Sequence, residues 1–252
     1  MTKAGFLSDK HANTADWGNP ADRLIVALDV PTIEQAEATI ETLGDRVEFY
    51  KIGYQLVPVG GFSLAQKLAG TGKKVFLDLK YHDIGATVAK GVQSVRSLGA
   101  ELLTVHAVPS VVRAASKAAD EDPALKILAV TVLTDQSVTD LAASIGKDPS
   151  DLDLTSIVVA RAEMAMNEGA DGVVASPLEA GLLRKKLGPS ALIVTPGVRP
   201  KGADVGDQKR IATPGDAIAS GASHLVVGRP IVGAEDPAAA AGSVLGEMTL
   251  NA

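Results

Sequence analysis

The chain has 252 residues, 46% of them hydrophobic and only 3% aromatic, with a net charge of −6 and no cysteine. That content builds a sizeable core from Val, Leu, Ile and Ala, as in parallel β/α proteins whose strands are buried on both faces. Without cysteine there are no disulfides, thiolate nucleophiles or thiolate metal sites, and without a basic stretch or basic amphipathic helix neither nucleic acid nor a membrane surface is an expected partner.

Residues 1–22 are polar and mixed (His11, Asn13, Thr14, Asp16, Gly18, Asn19, Pro20) and read as an N-terminal extension with room for one short helix. Met1–Pro20 lacks the apolar core of a signal peptide, and no apolar run reaches the ~18 residues of a membrane span, so a cytoplasmic protein is expected.

From there a strand-then-helix pattern recurs every ~30 residues, the length of a βα unit. Leu24–Leu28 is the first apolar run, closed by Asp29. Thr32–Leu43 places Ile33, Ala36, Ile40 and Leu43 on one helical face, with Thr32 as N-cap. Val47–Ile52 is the second strand and carries Lys51 near its end; Lys74–Leu79 is the third. The third strand runs into Asp78-Leu79-Lys80-Tyr81-His82-Asp83-Ile84. Side chains alternate along a strand, so Asp78 and Lys80 share a face, Asp83 follows past the strand end, and His82 points away. The pattern continues with helix Ile84–Leu98, strand Leu102–His106, helix Ser110–Ala119 and strand Lys126–Leu133. After the long connection Thr134–Leu152 come helix Leu154–Glu168, strand Gly172–Ala175, helix Pro177–Leu187 and strand Leu192–Thr195. A second long loop, Pro196–Gly215, leads to helix Pro214–Ser220, strand Leu225–Val227 and helix Ile231–Glu247. Gly44, Gly99, Gly169, Gly188 and Gly221 stand where helices end, as left-handed caps prefer.

Eight such runs predict an α/β fold of the (β/α)8 TIM-barrel type, one domain over residues 23–252. A doubly wound open sheet competes, but it rarely fits so many strands in this length, and no Gly-x-Gly-x-x-Gly follows Leu24–Asp29. In a barrel Asp29, Lys51, Asp78 and Lys80 converge on one mouth as an array of alternating fixed charges. Gly228-Arg229-Pro230 after the eighth strand, beside Thr195-Pro196-Gly197-Val198-Arg199 after the seventh, reads as a phosphate site. His11, His82, His106 and His224 read as ordinary core or surface histidines without metal spacing, and Ser63, Ser110 and Ser176 lack a nucleophile-elbow context. Asp29, Asp78 and Asp83 are poor Mg²⁺ ligands with lysines interleaved, so no metal is expected.

These residues resemble the orotidine 5′-phosphate decarboxylase family, in its shorter bacterial form. The Asp-x-Lys-x-x-Asp-Ile signature matches Asp78–Ile84. Leu28-Asp29, Tyr50-Lys51-Ile52-Gly53, Ala129–Thr134, Thr195–Pro200, Gly206–Arg210 and Val227–Pro230 follow in the family's order, over about residues 22–240. The resemblance implies a cofactor-free enzyme acting on orotidine 5′-monophosphate, and a homodimer with shared active sites. It implies that Asp29 and Lys51 bind the ribose hydroxyls, Lys51 also ordering the charges. Asp78 stands by the substrate carboxylate, and Lys80 protonates C6. Asp83, Ile84 and Thr87 serve the neighbouring subunit's site. Thr134 contacts the pyrimidine, and Arg199, Gln208, Gly228 and Arg229 grip the phosphate. The sequence departs from the family's usual Pro-Asn at Gly85-Ala86, with Thr87 still in register. Two other readings are a sister sugar-phosphate decarboxylase acting on a 3-keto-gulonate phosphate with Mg²⁺, and a catalytically silent phospho-ligand-binding barrel.

Overall fold

A computed structural model describes residues 17–200 and 212–249. Its centre is a closed barrel of eight parallel strands in sequence order: β1 (Leu24–Ala27), β2 (Phe49–Gly53), β3 (Lys74–Tyr81), β4 (Leu102–His106), β5 (Lys126–Val130), β6 (Gly172–Val174), β7 (Leu192–Thr195) and β8 (His224–Val227). β1 pairs with both β2 and β8, which closes the ring and leaves no sheet edge.

Strand alternation divides the apolar side chains into two populations. Ile25, Ala27, Phe49, Phe76, Leu102, Leu128, Val194 and Val226 fill the barrel interior. Leu24, Val26, Tyr50, Ile52, Val75 and Leu77 point outward into the larger cluster beneath the helices. The interior layer sits low in the barrel. One step of two residues further along each strand the same inward face carries Asp29, Lys51, Asp78 and Thr104, so the floor of the mouth is apolar and its wall is charged.

The helical layer comprises α1 (Pro20–Arg23), α2 (Ile33–Leu43), α3 (Gly61–Gly70), α4 (Gly85–Arg96), α5 (Pro109–Ala119), α6 (Val138–Ile145), α7 (Leu154–Asn167), α8 (Ala180–Leu187), α9 (Pro214–Ala219), α10 (Arg229–Val232) and α11 (Pro237–Thr249). Thr32 caps α2 through its side chain, which accepts from the Gln35 N–H. The five glycines expected at helix ends all have positive φ. No described helix is long and apolar enough to cross a membrane.

Three details differ from the sequence reading. α3 was not anticipated: glycines bound it on both sides and no side chain caps it, yet Leu64, Ala65 and Leu68 bury one face. α6 occupies part of the Thr134–Leu152 connection, started by a reciprocal Ser137–Asp140 capping box and ended at Gly146. The final helix is two: Gly233 ends α10, and Asp236 restarts the chain as α11 by accepting from the Ala239 N–H.

Candidate active site

The strand ends meet at the C-terminal mouth of the barrel around a cavity of about 410 Å³. Asp29, Lys51, Asp78 and Lys80 line one wall. Thr134 and Arg199, after β5 and β7, line the far side, while Gly228 and Arg229 follow β8, the strand paired with β1, and so stand beside Asp29.

The charged wall is a continuous chain. Lys51 Nζ donates to Asp29 Oδ1 at 3.0 Å and lies 3.5 Å from Asp78 Oδ2. Lys80 Nζ donates to Asp78 Oδ1 at 2.8 Å. Exposure grades along it: the side chains of Lys51 and Asp78 are 8% and 15% exposed, Lys80 24% and Asp29 48%. Burial by itself would push the Asp78 carboxyl up. Lys51 and Lys80, with hydrogen bonds from Lys80 and Thr104, outweigh that and hold it below the ordinary carboxylate value. The inner carboxylate is thereby kept ionised against its own desolvation. Such an array is costly as a stabilising device, since each buried ion loses hydration, and its use lies in presenting fixed charge to a ligand.

Local backbone makes room for it. At Gly53 a Cβ would come within 3.2 Å of Lys51 Nζ and 3.6 Å of Asp29 Oδ1, so a side chain there would press on the ion pair. Lys80 has φ +46°, the one non-glycine residue with positive φ among those described. It lies in an irregular stretch of the β3–β4 ladder: Leu77 pairs with Leu103, but the next pair is Tyr81 with Val105. β3 thus spends four residues where β4 spends two, and the bulge re-aims the Lys80 side chain into the mouth. Tyr54, anchored by its hydroxyl to the Leu79 carbonyl at 2.8 Å, sets its ring 5.7 Å from Lys80 Nζ.

On the opposite wall, Arg199 is buried and donates to the Val198 carbonyl. The bridge between Val198 and Ala212 ties together the two ends of the connection after β7. Arg229 opens α10 directly after Gly228 and β8. Gln208 lies outside the described residues.

Asp83, Ile84 and Thr87 do not line this cavity. Asp83 and Thr87 face a neighbouring recess with Tyr54, His82 and His106, and Ile84 is 72% exposed. His82 turns its ring to His106, 5.2 Å away, and lines that recess rather than the mouth. Gly85 and Ala86 form the first turn of α4, and the Thr87 N–H donates to the Ile84 carbonyl, so the departure from Pro-Asn leaves a regular helix start.

Sequence reasoning did not single out Thr104 or Gln55. Gln55 lines the cavity. Thr104 is fully buried; its hydroxyl accepts from the Lys80 N–H and donates to Asp78 Oδ1, both at 2.9 Å. A lone hydroxyl inside the apolar run Leu102–Val105 was the available signal. Among the described residues no group of three or more His, Asp or Glu is placed to hold a metal ion.

Comparisons with known proteins agree in direction. The model of the Orotidine 5′-phosphate decarboxylase / HUMPS family matches residues 22–244. Orotidine 5′-phosphate decarboxylase of Rhodopseudomonas palustris (strain BisB5) is 57% identical over 227 residues, 90% of this chain and 94% of that protein. The enzyme of the same name from Methylorubrum extorquens (strain PA1) is 54% identical over 230 residues, 91% of this chain and 97% of that one. The crystal structure of orotidine 5′-phosphate decarboxylase from Lactobacillus acidophilus matches with a TM-score of 0.79 at 38% identity, covering 89% of this chain and 98% of that one.

Proposed function

The chain belongs to the orotidine 5′-phosphate decarboxylase / HUMPS family, and from that premise we propose that it is a carboxy-lyase converting orotidine 5′-monophosphate to UMP and CO₂ in pyrimidine biosynthesis, without a cofactor. The observation that carries this reading is the Asp29–Lys51–Asp78–Lys80 chain lining one cavity together with Arg199 and Arg229. A cation set for phosphate and a fixed ammonium set for developing carbanion charge are what the reaction needs.

Breaking the bond between C6 and the carboxylate leaves its electron pair in a vinylic orbital that no π system delocalises. The pair must be stabilised through space. A preorganised ammonium in a partly desolvated site supplies that without reorganisation at the moment of reaction. Lys80 takes this part: as CO₂ departs it delivers a proton to C6, and the resulting amine recovers one from solvent. Asp78 beside the substrate carboxylate adds a smaller effect, a like-charge repulsion that disappears with CO₂. Asp29 and Lys51 hold the ribose hydroxyls, Thr134 contacts the pyrimidine, and Arg199, Gln208, Gly228 and Arg229 hold the phosphate. Phosphate binding energy, remote from C6, drives closure and excludes water.

Asp83, Ile84 and Thr87 are assigned to the site of a second copy. Supporting this are their displacement from their own cavity and the exposed apolar surface of Ile84 and Tyr54 beside them. We read residues 23–252 as one decarboxylase domain behind the 1–22 extension, working in the cytoplasm.

The second reading is a sister sugar-phosphate decarboxylase that uses Mg²⁺. Lys51 and Lys80 hold the Asp78 carboxylate edges that a Mg²⁺ ion would require, which favours the nucleotide. The test is the loss of orotidylate absorbance with purified protein, before and after EDTA. Equal turnover in both is expected; activity that collapses on chelation and returns with Mg²⁺ supports the sugar-phosphate reading instead.

A further inference from the structure

The β3–β4 bulge leaves a backbone N–H, that of Lys80, without a carbonyl partner on β4 at the point where the catalytic wall is built. A part-buried donor so placed must find an acceptor or cost the fold. Thr104 Oγ1 is that acceptor, at 2.9 Å, and the same hydroxyl sends its own proton to Asp78 Oδ1 at 2.9 Å. The donor and acceptor capacities of one hydroxyl are thus spent on two neighbours of a single strand. Thr104 itself is fully buried and does not line the cavity. Its hydroxyl contacts both the strained backbone of Lys80 and the carboxylate that Lys80 and Lys51 share.

We propose that Thr104 is a positioning residue of this active site: its hydroxyl locks the positive-φ conformation of Lys80 and the orientation of the Asp78 carboxylate, so that the ammonium is preorganised before substrate arrives. The inference rests on the decarboxylase reading above for its kinetic consequence, but not for its structural one.

The charged groups around Asp78 are Lys51 and, through it, Asp29, together with Lys80 on its own strand; β4 contributes Thr104, with His106 beyond it near Lys80. Thr104→Val keeps the shape and removes the hydroxyl. It leaves the Lys80 N–H unpaired and takes one donor from Asp78. Thr104→Ser keeps both bonds.

The experiment compares wild type, Thr104→Val and Thr104→Ser in two ways. The first is decarboxylation of orotidine 5′-monophosphate. The valine variant is expected to lose kcat by roughly ten- to a hundredfold, the range of one buried unsatisfied polar group, with KM nearly unchanged, and the serine variant is expected to restore it. The second is a carbon-13 NMR titration of the Asp78 carboxyl without substrate. The valine variant should raise its pKa, since a hydrogen bond to the ionised form is lost, and serine should not. Should wild type itself fail to turn over orotidine 5′-monophosphate, the decarboxylase reading falls, and the titration still decides Thr104. Thermal melting checks folding; if the valine variant does not fold, Thr104→Cys, a weaker donor, should show the same shift in smaller measure. An Asp78 titration and a kcat both unmoved by removing the hydroxyl would overturn the proposal, as would a loss that serine fails to rescue.

Discussion

Lys80 Nζ stands 2.8 Å from Asp78 Oδ1, two residues back on the same strand. In a regular strand the two would merely share a face. Here β3 bulges against β4 and Lys80 takes φ +46°, so the ammonium turns back onto the carboxylate at the barrel mouth. Backbone strain of this kind costs about 1–3 kcal/mol and persists only where surrounding contacts over-determine it. The Thr104 hydroxyl and the Tyr54 ring are such contacts.

Arg229 follows β8, the strand next to β1 and Asp29, on the rim of the same cavity, where it is assigned to phosphate. Arg229→Ala is expected to raise KM for orotidine 5′-monophosphate by about ten- to a hundredfold, the value of one charge-assisted bond to phosphate. The melting temperature should change little. Steady-state kinetics beside a thermal melt checks both; an unchanged KM would sink the phosphate assignment.

The proposed sharing of sites between two copies makes a distinct prediction for subunit mixing. Lys80→Ala and Asp83→Ala should each be inactive alone. In a hybrid dimer one of the two sites receives an intact Lys80 from one chain and an intact Asp83 from the other. With random exchange half the dimers are hybrid, so about a quarter of wild-type activity should return. Exchange verified by native mass spectrometry, with no recovered activity, contradicts the assignment of Asp83 to the neighbour.

His224, at the base of β8, packs edge-on against Phe49 and Trp17. Burial, reinforced by Arg23 and Lys74, lowers its pKa to about 3. The folded state therefore holds the imidazole neutral, while the unfolded chain protonates it near its ordinary value of about 6.5. Its contribution is fully present above that value and falls away as pH drops toward about 3, by at most about 1.4 kcal/mol per pH unit. Denaturant unfolding of wild type and His224→Gln at pH 7 and pH 4.5 checks this. The variant should lose less stability on acidification; equal losses would assign the acid sensitivity elsewhere.

The parallel barrel was legible because each strand is buried on both faces and reads as an apolar run, and because glycines punctuate the helix ends. Asp29, Lys51 and Asp78 were legible for the same reason: strand alternation puts them on the inward face above Ala27, Phe49 and Phe76. α3 escaped because its ends are glycines and its stabilisation comes from packing Leu64 and Leu68 rather than from a cap. The bulge at Lys80 and the double hydrogen bond of Thr104 were not legible. Register shifts arise from pairing between strands, which no local pattern encodes, and a threonine in a strand is ordinarily a β-propensity choice. The separation of Asp83 from its own cavity likewise depends on the direction in which the chain leaves β3.

The role of Lys80 is tested most directly by single-turnover decarboxylation of orotidine 5′-monophosphate with chelator-treated wild type and Lys80→Ala, UMP binding being measured alongside. Full turnover by wild type and none above background by the variant are expected, while both still bind UMP through the phosphate grip. Substantial decarboxylation by a folded, UMP-binding Lys80→Ala protein would contradict that role.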